Sequence, residues 1–148
     1  MPMTEDAFRE RSKVFLFAIA WVVCLFYFIN SVENTRDFLA AAVTAPGRVV
    51  ALNAGSSHPE IEFVTRKGER VSYPQGGWIG GYRVGDKVTV LYLENSPNPQ
   101  ATIDRTGAIW DFSIMLIFML IGIPAIFLWS IFYESTSKKD KSKWKISG

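Results

Sequence analysis

The sequence predicts a membrane α+β protein in which two transmembrane helices flank a small antiparallel β-barrel or curled-sheet extracytoplasmic domain. Two long apolar runs, residues 14–32 and 109–133, bracket a polar middle section. That middle section is rich in β-branched and aromatic residues and is punctuated by Gly, Pro, Asn and Asp. Lys and Arg gather just outside the two runs. A hydrocarbon core of about 30 Å needs about 20 helical residues, so both runs are long enough to span it. A bilayer offers the backbone no hydrogen-bond partners, which makes helices the form these runs take.

The elements follow in order. Residues 1–13 form an N-terminal arm carrying Arg9, Arg11 and Lys13. Residues 14–32 form the first span. The first run has the layout of a signal peptide, basic residues followed by an apolar stretch. The Ala-rich segment that could be cleaved lies well past the apolar run, beyond Glu33, Arg36 and Asp37, so an uncleaved anchor is expected. Cys24, the single cysteine, lies within this span, where it reads as a small apolar residue. No intramolecular disulfide can form, and the outer domain must hold together without one. Residues 33–45 carry Phe38, Leu39, Ala40, Ala41, Ala42 and Val43 with no breaker, which predicts that the helix continues to about Thr44. Pro46 disfavours helical angles at the residue before it.

Residues 46–108 read as strands and turns. Strands are predicted at 48–52, 61–65, 70–73, 87–93 and 101–104. Gly68 sits in a turn suited to a tight hairpin, and Pro74 ends the strand before it because it has no amide hydrogen to donate. Four or five short antiparallel strands joined by tight turns predict a small barrel or curled sheet. A domain of this size is marginal alone, and its attachment to two membrane helices reduces the entropy it loses on folding. The second span, residues 109–133, contains Gly122 and Pro124, which predict a kink and a thin patch for helix contact. Asp111 is expected at its outer interface beside Trp110. Residues 134–148 form a basic tail.

Charge sets the orientation. Between the spans, eight basic residues from Arg36 to Arg105 balance eight acidic ones from Glu33 to Asp104, so the middle section is neutral. The other eight basic residues all lie in the two terminal segments, three before the first span and five after the second. Lys and Arg favour cytoplasmic flanks, which predicts that both termini are cytoplasmic and residues 33–108 extracytoplasmic. In the tail, Lys138, Lys139, Lys141, Lys143 and Lys145 with Trp144 predict contact with lipid headgroups. The topology rule already accounts for these charges, and no nucleic-acid partner is expected.

The string Tyr82-Arg83-Val84-Gly85-Asp86-Lys87-Val88-Thr89-Val90-Leu91-Tyr92, with Asn98-Pro99-Gln100-Ala101-Thr102-Ile103-Asp104 after it and Gly47-Arg48-Val49-Val50 before it, resembles the bacterial domain of unknown function 3592 family. The resemblance covers roughly residues 47–104. It implies a small β-domain flanked by membrane helices, and it carries no catalytic residues. The loop at 93–97 is longer than that family's usual pattern, and the glycine-dense stretch before Tyr82 is particular to this chain.

Chemistry-bearing motifs are few. His58, the lone histidine, lies between Ser57 and Pro59 and reads as an exposed loop residue. A catalytic or metal-binding role needs partners at suitable spacing. Asp86 and Asp104 read as turn residues before they read as paired carboxylates. Gly76, Gly77, Gly80 and Gly81 lack the Gly-Lys-Ser/Thr ending of a phosphate loop. A mobile loop presenting Trp78, Ile79 and Tyr82 is the better reading, because aromatics on loops commonly anchor partners. Gly76, Gly77, Trp78, Ile79 and Tyr82 are therefore the candidate partner-binding residues, with residues 53–59 as a second loop. Neither span carries a deep charge, which counts against an ion path through one protomer. A homo-oligomer is an open expectation.

These features predict a non-enzymatic membrane-anchored binding protein with no cofactor and no metal. Two readings fit it. One is an immunity protein that binds a secreted toxin acting at the bacterial inner membrane. The other is an accessory or regulatory subunit of an envelope membrane complex. A membrane hydrolase ranks third, since no nucleophile is paired with a base.

Overall fold

The computed structural model describes residues 5–53, 58–98 and 100–146, with side chains described over 8–53, 58–98 and 100–133. The chain divides into two compact units. One comprises residues up to Phe28 and from Leu116 onward, and the other Ile29–Met115.

The first unit is a pair of helices, parts of α1 (Glu5–Ala41) and of the last helix, α3 (Asp111–Ile146). Phe8–Ala41 and Asp111–Tyr133 are long and apolar enough to cross a membrane. At 1.5 Å per residue the shorter extends about 35 Å, enough for a hydrocarbon core of about 30 Å. Only 11% of the most apolar stretch of the first and 6% of that of the second are buried. Phe15, Phe26, Ile126, Trp129 and Phe132 are each exposed by more than half. A helix that is apolar all round and unburied by protein suits lipid.

Pro124 lies inside α3, which runs through it unbroken. Proline has no amide hydrogen, so the carbonyl four residues earlier, that of Leu120, loses its helical donor. The Trp21 indole Nε1 donates to the Leu120 oxygen at 3.2 Å. One turn along each helix, the buried Cys24 thiol faces the Leu116 carbonyl, 3.8 Å from sulfur to oxygen. Phe17 stacks on Phe127, ring centroids 4.3 Å apart. The expected kink site is thus a site of helix contact, where a neighbouring helix restores the missing hydrogen bond.

The second unit is a five-stranded, fully antiparallel curled sheet. Its strands are β1 (Val43–Asn53), β2 (His58–Val64), β3 (Arg70–Pro74), β4 (Lys87–Tyr92) and β5 (Thr102–Ile103), in the spatial order β3-β2-β1-β4-β5. The four-residue helix α2 (Thr106–Ile109) follows β5. Alternation along β2 and β3 turns Pro59, Ile61, Phe63, Val71 and Tyr73 inward. Ile61, Phe63, Val71 and Tyr73 join Ala45, Val49, Val90, Tyr92, Ile103 and Ala108 in one core. Within it the Phe63 ring lies 5.0 Å from that of Tyr92 and 6.1 Å from that of Tyr73. Ser31 Oγ and Ser113 Oγ, both buried, are hydrogen-bonded at 2.8 Å and join the end of α1 to the start of α3.

Several boundaries differ from expectation: His58 and Pro59, expected in a loop, open β2 opposite Asn53 and Leu52, Pro74 closes β3 from within it, and two further shifts lie at the end of α1. α1 ends at Ala41, not near Thr44, and β1 begins at Val43, not at Arg48. Pairing decided this: Val43 to Arg48 lie opposite Tyr92 to Lys87 on β4, and that ladder overrides local helix preference. Pro46 therefore sits within a strand. Thr89, its partner, turns its carbonyl to the Asp104 amide on the other side. Pro46 consequently directs its nitrogen away from β4, to a side where β2 pairing starts only at Gly47.

The curl has identifiable sources. Val50 is an extra residue in β1, because Val49 pairs with Ile61 and Ala51 with Glu60. Such a bulge bends its strand and increases its twist. Gly47 lies on the inner side of the bend, where a Cβ would come within 2.6 Å of Val90 Cγ2. The hairpin between β2 and β3 is as expected, with Gly68 at φ 84°.

Candidate partner-binding site

The glycine-dense stretch leaves β3 through Gln75, a buried side chain that bridges the sheet's two edge regions. Its Oε1 accepts from the Ile103 amide at 2.8 Å and from the Tyr73 hydroxyl at 3.1 Å. Its Nε2 donates to the Gly76 carbonyl at 2.8 Å and to Thr102 Oγ1 at 3.3 Å. Burial, with the neighbouring Tyr82 adding to it, pushes the Tyr73 hydroxyl well above the usual tyrosine range. It therefore stays a donor. This one amide closes the curl from β3 to β5, where no backbone ladder does.

Beyond Gln75 the loop is pinned. The Trp78 amide donates to the Gly107 carbonyl at 2.7 Å, joining the loop to α2. Gly77 has φ 104°, and a Cβ there would lie 2.6 Å from the Gly107 oxygen. A Cβ on Gly107 would in turn strike the Trp78 carbonyl oxygen. Two backbones meet here because neither residue has a side chain. The expected mobile loop is thus corrected to one fastened at its middle.

The fastening sorts the five candidate residues. Trp78 projects outward, 64% exposed. Ile79 and Tyr82 are half-buried and pack against the core. With Lys87, Arg105 and Thr106 these three line a cleft of about 610 Å³. Gly76 and Gly77 do not line it; Gly77 holds the loop in place. Three contributors were not singled out from sequence, namely Gln75, Lys87 and Arg105. Only folding brings 75–82 beside 102–107, and no spacing rule links those segments.

The remaining candidates resolve simply. His58 is exposed and lies opposite Asn53 across the β1–β2 ladder, while residues 54–57 of the second candidate loop lie outside the described residues. Asp86 Oδ2 accepts from the Arg83 amide at 2.8 Å, with Gly85 at φ 97° in the same turn. Asp111 opens α3, and its Oδ1 accepts from the Phe112 amide at 2.7 Å. Among the described residues no group of three or more His, Cys, Asp or Glu side chains is placed to hold a metal ion. The α3 backbone is helical to Ile146. The side chains of Lys138, Lys139, Lys141, Lys143, Trp144 and Lys145, the candidate headgroup contacts, lie outside the described residues.

Comparison with known proteins gives one informative likeness. The chain is 55% identical over 73 residues to Immune protein Tsi4 of Pseudomonas aeruginosa. The match covers 49% of this chain and 50% of that protein, so the chain spans about half the length of the curated relative it matches. No family model matches, and the resemblance to domain of unknown function 3592 has no match behind it. No solved structure matches either. The chain is therefore similar, over half its length, to a protein named for immunity.

Proposed function

We propose that this chain is a non-enzymatic immunity protein, anchored in the bacterial inner membrane, that neutralises a secreted toxin by binding it. The observation that carries the reading is the 55% identity over half the chain to Immune protein Tsi4. Two unburied apolar helices supply the membrane address, and the basic flanks favour cytoplasmic termini. The curled sheet then lies outside, where an arriving toxin is met. The cleft beside the Gly76–Tyr82 loop is the working surface in this reading, with Trp78 as its exposed anchor.

Deleting the gene should make cells lose to toxin-delivering sister cells in co-culture, and restoring the full chain should rescue them. Full survival of the deletion strain would sink the reading. A mild-detergent pull-down of the intact chain from native membranes supplies the second arm. A secreted protein recovered in fixed ratio supports immunity, whereas a fixed set of membrane subunits turns the account to an accessory role. Recovery of the chain with further copies of itself points to self-association.

A further inference from the structure

On the outer face of the sheet, ladder pairing sets Arg48 of β1 directly opposite Lys87 of β4. Directly opposed like charges are unfavourable in a sheet. On its other side Arg48 lies opposite Glu62, whose carboxylate is already 3.5 Å from Arg70 Nη1. Across β3, β2, β1 and β4 the charges therefore run Arg70, Glu62, Arg48, Lys87, with an excess of cations toward β4. Lys87 also lines the Trp78–Tyr82 cleft, and Arg105 enters the same cleft from beyond β5.

Among the described residues, Arg48, Lys87 and Arg105 make no ion pair, and all three are exposed. Two carboxylates lie near. Asp86 lines the cleft, but its Oδ2 is engaged by the Arg83 amide. Asp104 lines the adjoining hollow with Lys87 and Arg105 and pairs with neither. Asp37 and Asp111 line a separate cleft of about 780 Å³ with Asn34 and Phe38.

Resting on the immunity reading, we infer that Arg48, Lys87 and Arg105, flanked by Trp78, form the contact strip for an acidic surface on the toxin. An unfavourable cation pair kept on a sheet's exposed face has a use when a partner supplies the missing anion. Complementary charge speeds encounter and fixes register, and Trp78 supplies the apolar anchor beside it.

The test uses the full chain in its own membrane, with toxin-delivering sister cells as the probe. Recipients carry the wild type, Lys87→Glu, Arg105→Glu, the gene deletion, or the control Arg66→Glu at the β2–β3 hairpin. Lys87→Glu places an anion opposite Arg48, so the purified variant should melt at the wild-type temperature or higher. It should nonetheless lose protection to the level of the deletion. Arg105→Glu should lose protection as well, whereas Arg66→Glu should keep it. Full protection by Lys87→Glu, in a background where deletion is lethal, overturns the strip and leaves the immunity reading standing. A deletion that is not sensitive overturns the immunity reading and the strip with it.

Discussion

The helical unit and the β unit handle apolar side chains and backbone polar groups in opposite ways. In the β unit apolar residues point inward, and Ile61, Val49, Val90 and Tyr92 are almost completely buried. In the helical unit they point outward, and the few buried positions hold Cys24 and Leu116 at the helix contact. Polar groups follow the same inversion. The β unit exposes its charges and closes its curl with one buried amide, Gln75. The helical unit turns its Trp21 indole inward, to the one carbonyl that Pro124 leaves without a helical donor. Apolar patterning tells which surface faces which solvent, while individual polar contacts decide how each unit closes.

The largest expected effect breaks the β unit alone. Gly107→Val drives a side chain into the Trp78 backbone, which cannot yield without losing its hydrogen bond to position 107. Overpacking of this kind costs about 3 kcal/mol, and thermal unfolding of the detergent-solubilised chain should show it. Helix content assigned to the spans should persist in far-UV circular dichroism. Co-operative loss of both units together would contradict their separateness.

A smaller effect tests the closure. Gln75→Ala leaves the Ile103 amide without its acceptor and the Tyr73 hydroxyl without its partner. The cost should be about 2 kcal/mol, the usual penalty for orphaning buried polar groups. Hydrogen exchange at Ile103 should accelerate more than at Val90 in the sheet centre. Equal acceleration at both would mean that Gln75 supports the whole core, not the edge.

The smallest effect sharpens the account of the helices. Trp21→Phe removes the donor to Leu120 and should weaken helix pairing by about 1 kcal/mol, in the range of hydrogen bonds within membranes. Pro124→Ala restores an amide hydrogen at position 124, which can bond to Leu120 within α3. In that background Trp21→Phe should cost far less. A double-mutant cycle reads the difference, and strict additivity would show that the indole's bond and the proline are unrelated.

Legibility from the sequence followed the range of the interactions concerned. Apolar run length and flanking charge are local, and both long helices were readable from them, as were the Gly68 hairpin and the Asp86 turn. The β1 start at Val43 was not readable, because its alanines favour helix and only β4 pairing outweighs them. Trp78, Ile79 and Tyr82 stood out as aromatic and aliphatic residues among glycines. Lys87 and Arg105 did not, since each is an ordinary exposed cation until the fold places both at one cleft. Gly77 and Gly107 looked like loop glycines, and their reciprocal close approach exists only in three dimensions.

By itself the sequence determined two helices able to cross a membrane and a small β-rich segment between them. Solvent preference is a property of local composition, and composition is written along the chain. Tertiary structure alone decided that the sheet curls instead of closing into a barrel, and that Gln75 joins its edges. It also decided that Arg48 faces Lys87 beside the Trp78 cleft. Those outcomes depend on strand register and on contacts between distant segments, which local sequence does not encode.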